Sequence, residues 1–244
     1  MSSSGFAPAS IGNFSVGFDV LGLALAAVNG AAVDGSLLGD RVEVSACEQM
    51  QLVVSGDYAD KVPHDASNLV YQAAVLVQQW LQQHNAGEHC WQLQLHKGLP
   101  VASGTGSSAA SAVAAVRALS AWCREHLPLT IPEAQQWQML AKLEGQASGS
   151  AHLDNLAPAM LGGLVLCPLH GLPRKLPLIE HWHYVLAYSG QHIATRAARA
   201  GMPAQYPRAV TIRQMQRLAM VVDGLHRQDA DCVLAHLHDE IAEP

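Results

Sequence analysis

The sequence predicts an α+β protein built as two consecutive units, residues 1–165 and 166–244, and three observations carry that prediction. Residues Arg41 to Ala46 and Trp91 to His96 alternate apolar and polar, with Trp91, Leu93 and Leu95 on one face, the period-two pattern of a half-buried strand. Longer stretches between and after them carry apolar residues at helical spacing. Beyond the pair Gly162 and Gly163, short apolar runs and helical stretches begin again.

Each element has its own signal. Asn68 to Leu81 aligns Leu69, Ala73, Val77 and Trp80 on one stripe, and Ser67 or Asn68 can cap its first turn. Ala109 to Glu125 aligns Val113, Val116, Leu119 and Cys123 in a stretch dense in alanine, so it reads as a long helix packed closely on a neighbour and ended by Pro128. Thr130, Pro132 and Glu133 have capping-box spacing for a helix running to about Glu144. In the second unit, Leu164 to Cys167 and Tyr184 to Tyr188 read as buried strands, and Ala209 to Leu225 and Ala230 to Ile241 as helices.

Composition narrows the function classes. A formal charge of -6 with no clustered Lys and Arg argues against nucleic acid as the main partner. MSSSGFAPAS lacks the start of a secretory signal, and no stretch reaches the roughly 20 apolar residues that span a bilayer, so a cytoplasmic protein without a membrane partner is expected. Five cysteines, with no CxxC pair, suggest neither a disulfide framework nor a zinc site. The histidines are scattered, with no HExxH pair.

The strongest local signal runs from Gly98 to Ala110, a glycine- and serine-rich loop between a strand pattern and a long helix. Glycines let backbone N–H groups approach an anion, and a helix start offers unpaired donors at the positive end of its dipole. A serine-rich turn that merely caps the helix is the plainer alternative. The loop is not a Walker loop, because no Lys follows in GxxxxGK[ST] spacing. Gly104-Thr-Gly106-Ser-Ser-Ala109 does match GxGxx(G/A), but Gly98 and Pro100 separate it from the strand and the downstream Glu125 sits in a helix, against a dinucleotide-binding unit.

Pro100-Val-Ala-Ser-Gly104-Thr-Gly106-Ser-Ser-Ala109 resembles the second motif of GHMP kinases. Ala7-Pro-Ala-Ser-Ile-Gly-Asn13-Phe-Ser-Val-Gly17-Phe-Asp19-Val-Leu-Gly22 resembles their first motif, in the form that the homoserine kinases of that family carry. Glu144 to Gly163, with its His152-Leu-Asp154-Asn155-Leu-Ala-Pro158 run, is similar to the central homoserine kinase segment. The resemblance continues through Leu186-Ala-Tyr, Thr195, Arg199 and Pro203-Ala-Gln-Tyr206 to the final Ile-Ala-Glu-Pro, covering nearly the whole chain.

The resemblance implies the GHMP kinase fold: an N-terminal ATP-binding α/β domain over 1–165 with a left-handed βαβ-type phosphate loop, and a C-terminal ferredoxin-like α+β domain over 166–244. It implies ATP and Mg²⁺ as cofactors and L-homoserine as the acceptor. Nucleotide contacts fall on Asn68, Pro100, Ser103, Gly104, Thr105, Gly106, Ser107, Ser108 and Ala109, with Ser108 and Glu144 sharing the metal. Catalytic positions fall on Asn13, Glu144 and Asn155, and substrate contacts on Asp19, His152, Thr195 and Arg199. These residue types suit the chemistry, since phosphoryl transfer needs positioned donors and Mg²⁺, and an amino acid needs partners for its ammonium and carboxylate. Read without the resemblance, Glu144 is a solvated helix carboxylate, Asn13 and Asp19 shape turns, His152 is a core histidine, Arg199 is solvated and Asn68 is a helix cap.

Two departures stand out. Thr105 replaces the family's usual leucine between the glycines, which is expected to be tolerated. A third glycine-rich motif is not found after Arg199, so the C-terminal domain is expected to be incomplete, with apolar surface left uncovered and self-association, including a homodimer, favoured. A nucleotide-binding module without catalysis is therefore the competing class of function.

Overall fold

The structure is a computed structural model that describes residues 2–26, 38–148, 152–187 and 195–242, the side chains of Ser148 and residues 195–197 excepted. Its strands are β1 (Ser2–Pro8), β2 (Ser10–Gly12), β3 (Leu21–Ala24), β4 (Gly39–Ala46), β5 (Gln51–Ser55), β6 (Trp91–His96), β7 (Leu164–Leu166) and β8 (Arg174–Leu176). Its helices are α1 (Leu69–Gln83), α2 (Ser107–His126), α3 (Glu133–Ser148), α4 (Leu156–Leu161), α5 (Thr195–Ala200), α6 (Arg208–Arg227) and α7 (Ala230–His236).

One sheet has the order β1-β4-β6-β5. β4 is antiparallel to β1 and β6, while β5 and β6 are parallel neighbours joined through α1, a βαβ crossover. The predicted inner face of β6 is confirmed, for Trp91, Leu93 and Leu95 are buried, as are Val42 and Val44 of β4. α2 lies across this face with a close approach that explains its alanines. A Cβ added to Gly5 of β1 would stand 2.2 Å from the Ala114 carbonyl oxygen, so neither surface has room for more. Arg117 of α2 donates to the Phe6 carbonyl oxygen at 2.6 Å and also to that of Met160, tying β1 to α4.

The second sheet, β2-β3-β7-β8, is antiparallel throughout. It joins the N-terminal hairpin to strands far along the chain, and α4 and the residues before it pack on the hairpin so tightly that a Cβ on Gly22 would stand 1.7 Å from the Asp154 carbonyl oxygen and 2.9 Å from Pro158 Cγ. This packing holds the β2–β3 loop against the start of α4, and on that loop much of the site depends.

Three local expectations need correction. The described part of the predicted strand Tyr184 to Tyr188 is not a strand, because among the described residues no strand lies beside it to accept its backbone hydrogen bonds, and Val185 is 95% exposed; Tyr188 itself lies outside the described residues. The helix predicted to reach Ile241 stops at His236. Buried Asp239 turns the chain there, accepting from the Ile241 and Ala242 backbone N–H groups and from Gln214 Nε2 at 3.1 Å. The start of α3 is not made by a Thr130–Glu133 capping box. The Pro132 carbonyl accepts from Gln135 and Gln136, and the Glu133 carboxylate accepts from Trp137 Nε1.

Candidate functional site

The loop between β6 and α2 is backbone-shaped for an anion. Ala102, Gly104 and Gly106 have φ of +54°, +77° and +64°, and Gly106 occupies the N-cap of α2 without a side chain to cap it. The first-turn N–H donors of a 20-residue helix are thereby left without a capping side chain. A Cβ on Gly104 would meet open space, whereas one on Gly106 would stand 2.0 Å from Ser10 Oγ and 2.9 Å from Asn155 Oδ1. Gly106→Ala is therefore expected to distort the loop through both its φ and this clash, and to weaken MgADP binding at least tenfold in calorimetry while the circular-dichroism spectrum stays native.

A cavity of about 420 Å³ lies at this helix start, lined by Val101, Ser107, Ser108, Asn68, Leu69 and Gln146 among others. The predicted nucleotide residues divide by what their polar atoms already do. Ser103 donates to the Pro100 carbonyl at 2.8 Å and bonds the Thr105 hydroxyl at 2.7 Å, and Ser107 donates to the Leu99 carbonyl at 3.3 Å. Ala109 is buried behind the loop. These residues build the loop, while exposed Ser108 lines the cavity. Asn68 caps α1 by accepting from Val70 N–H at 2.9 Å and donates to the Pro63 carbonyl at 2.6 Å, so it shapes the cavity wall as well as lining it.

A second cluster stands at the β2–β3 loop. Arg199 of α5 grips the Asp19 carboxylate with both terminal nitrogens, one at 2.9 Å, and its guanidinium lies 5.1 Å from the centre of the Phe18 ring. His152 Nδ1 is 3.4 Å from the same carboxylate. Arg199 Nε is buried without a hydrogen-bond partner among the described residues. The loop carries Asn13, Phe14, Ser15 and Asp19 at positive φ, a concentration of backbone strain held in place because the Asn13 side-chain oxygen accepts from Asp19 N–H at 3.0 Å and its carbonyl from Gly17 N–H at 2.9 Å. The hydrogen bond to Asp19 raises the Arg199 pKa further above its ordinary value. Burial raises that of Asp154, and Asp19 adds to it while His152 and Arg199 oppose.

The clusters adjoin through Asp154 and Asn155. Asn155 accepts from Ser10 Oγ at 3.1 Å, and both stand where a Cβ on Gly106 would go; its neighbour Asp154 is coupled by charge to Asp19, His152 and Arg199. Glu144, two residues before Gln146 on α3, also exerts its charge on Arg199. A Ser108 hydroxyl and a Glu144 carboxylate are ligand types that suit Mg²⁺, which uses few protein ligands and completes its shell with water and phosphate. Among the described residues no three His, Cys, Asp or Glu side chains group to hold a metal alone. The structure thus places Asn13, Asp19, His152, Asn155 and Arg199 around one strained loop; Thr195 opens α5, and its side chain lies outside the described residues. Sequence reasoning did not single out Ser10, Asp154, Asp40 or Lys97. Asp154 sits inside a quoted motif, whereas Ser10, Asp40 and Lys97 acquire their roles only through partners distant in sequence.

Residues 68–163 match the family model for the GHMP kinases N-terminal domain. A homoserine kinase from Cytophaga hutchinsonii superposes with a TM-score of 0.80 at 28% identity, over 100% of this chain and 73% of that one. This chain has the GHMP kinase fold. The same fold is shared, at lower identity, by a Listeria monocytogenes protein provisionally described as a homoserine kinase (TM-score 0.59, 19% identity, 97% of this chain and 73% of that one). It is shared too by a mevalonate kinase from methicillin-resistant Staphylococcus aureus (TM-score 0.53, 17% identity, 96% and 74%). The GHMP kinase N-terminal match contains the glycine loop, α2, Glu144 and Asn155. Among the described residues no helix is long and apolar enough to cross a membrane.

Proposed function

We propose that this chain transfers the γ-phosphoryl group of MgATP to the side-chain hydroxyl of L-homoserine, giving ADP and O-phospho-L-homoserine. The observation that carries the choice of acceptor is the Asp19–Arg199 pair beside the phosphate loop, with His152 at its edge. One anion and one cation at the acceptor side suit a zwitterion, whose ammonium and carboxylate each find an opposite charge; a hydroxy acid such as mevalonate would leave Asp19 facing a second anion. The 28% identity to a homoserine kinase over the full chain supports the same reading.

In this reading the loop and the start of α2 hold the phosphates, and Asn68 shapes the nucleotide cavity. Ser108 and Glu144 would hold Mg²⁺, which would supply positive charge to neutralise the phosphates. The Asn13 amide nitrogen and Asn155 orient the attacking hydroxyl in line with the γ-phosphorus. The hydroxyl oxygen bonds to phosphorus as the bond to the ADP oxygen breaks, so the residues serve as positioners. A panel of acceptors in an ADP-release assay tests the choice of substrate. L-homoserine should support turnover, and N-acetyl-L-homoserine, homoserine lactone and mevalonate should fall at least a hundredfold below it. Preferential turnover of mevalonate, or equal turnover of the acetylated compound, would refute the zwitterion reading.

A further inference from the structure

Beneath the phosphate loop lies a charged pair that, among the described residues, makes no hydrogen bond to the acceptor-side cluster. Asp40, at the start of β4, and Lys97, just after β6, have side chains 0% and 1% exposed, and the ammonium is bonded directly to Asp40 Oδ2. A buried pair of this kind gives no assured stability, because desolvation offsets most of the attraction. Its hydrogen bonds show what it holds. Asp40 Oδ1 accepts from the backbone N–H groups of Gly98 at 3.0 Å and Leu99 at 3.3 Å, where the loop leaves β6. Lys97 Nζ donates to the Ser107 carbonyl at 2.9 Å, where the loop becomes α2, and to Ser111 Oγ at 3.1 Å. The Ser111 hydroxyl donates to Asp40 Oδ2 at 2.6 Å. All three ammonium hydrogens are committed, so Lys97 has none to offer a phosphate although it borders the cavity.

We propose that Asp40 and Lys97 are positioning residues for the phosphate loop: the pair clamps the loop's first residues to the first turn of α2, so the backbone donors are aimed before any nucleotide arrives. This rests on the loop being a nucleotide site, but loop order can be measured without nucleotide. Pre-aimed donors bind more tightly because less chain remains to be ordered on binding. The pair also allows charge and geometry to be separated, since replacing both residues by neutral ones leaves the local net charge at zero.

The test is the double variant Asp40→Asn, Lys97→Met, which keeps side-chain volume and an acceptor for Gly98 and Leu99 but removes the bond to Ser107. Hydrogen exchange of nucleotide-free protein should accelerate at least tenfold over residues 99–110 and by much less in β1, β4 and the C-terminal half of α2. Calorimetry should show MgADP binding weakened at least tenfold. A merely structural pair would lower the melting temperature without this local pattern. Wild-type exchange at 99–110 in the folded double variant, or accelerated exchange with unchanged MgADP affinity, would overturn the proposal. Should the double variant not fold, Ser111→Ala trims the same knot and keeps the ion pair; it should give the same local pattern at about threefold, and uniform exchange in it would count equally against the clamp. Failure of the wild-type chain to bind MgADP would instead refute the nucleotide reading of the loop, and the exchange comparison would still decide whether the pair orders it.

Discussion

Replacing Ser108 by alanine, or Glu144 by glutamine, is expected to lower turnover roughly a hundredfold or more with homoserine affinity little changed. Ser108→Ala removes an oxygen ligand from the proposed Mg²⁺ position and Glu144→Gln removes the negative charge of the other, and loss of one preorganised electrostatic contact in other enzymes costs about 2.7–4 kcal/mol of transition-state stabilisation. The two residues stand on different helices, α2 and α3, yet act through one ion, so the double variant should be little worse than either single one. Steady-state kinetics at saturating Mg²⁺ checks this. Near-normal turnover in either single variant would remove that residue from the metal position, and additive losses would mean that the two act separately. Because the Glu144 charge also bears on Arg199, homoserine KM in Glu144→Gln should be followed as well.

The second large effect is expected at the acceptor side. Arg199→Ala removes two hydrogen bonds to Asp19 and leaves that carboxylate, among the described residues, with His152 as its ion-pair partner. Hydrogen bonds to charged groups are worth about 1.5–3 kcal/mol each, so losing those that a bound carboxylate would take over should lower kcat/KM for homoserine roughly a hundredfold. The KM for ATP should stay within about twofold, since the phosphate loop keeps its own hydrogen bonds. Arg199→Lys should restore little, because a point charge cannot reproduce a bidentate grip. Full rescue by lysine, or an equal rise in the KM for ATP, would contradict the assignment of Arg199 to the acceptor.

How much of this was legible in the sequence depends on what each element buries. β4, β6 and α1 present large apolar residues to the core, and their periodicity marks them. β1 does not, because its inner face is Ser3, Gly5 and Ala7, small residues that allow α2 to approach and that erase the hydrophobic alternation by which a strand is found. The described part of the run Tyr184 to Tyr188 errs the other way, looking like a strand but having no strand beside it among the described residues. The glycine loop could be picked out because its residues are local, with glycines and serines inside one turn. The Asp19–Arg199 grip joins residues 180 positions apart, and the Asp40–Lys97 clamp joins residues 57 apart, so only the fold brings their charges together. The left-handed backbone of Asn13, Phe14 and Ser15 was equally hidden, since none of them is glycine and the turn is held by the hydrogen bonds that Asn13 accepts from Gly17 and Asp19.

Phosphorus NMR of this chain with ATP, Mg²⁺ and L-homoserine tests the central claim most directly, because it identifies the phosphoryl acceptor rather than nucleotide consumption alone. A new phosphomonoester resonance that matches O-phospho-L-homoserine and grows in step with ADP is expected. Growth of inorganic phosphate alone, or ATP bound and unchanged with homoserine present, would contradict it.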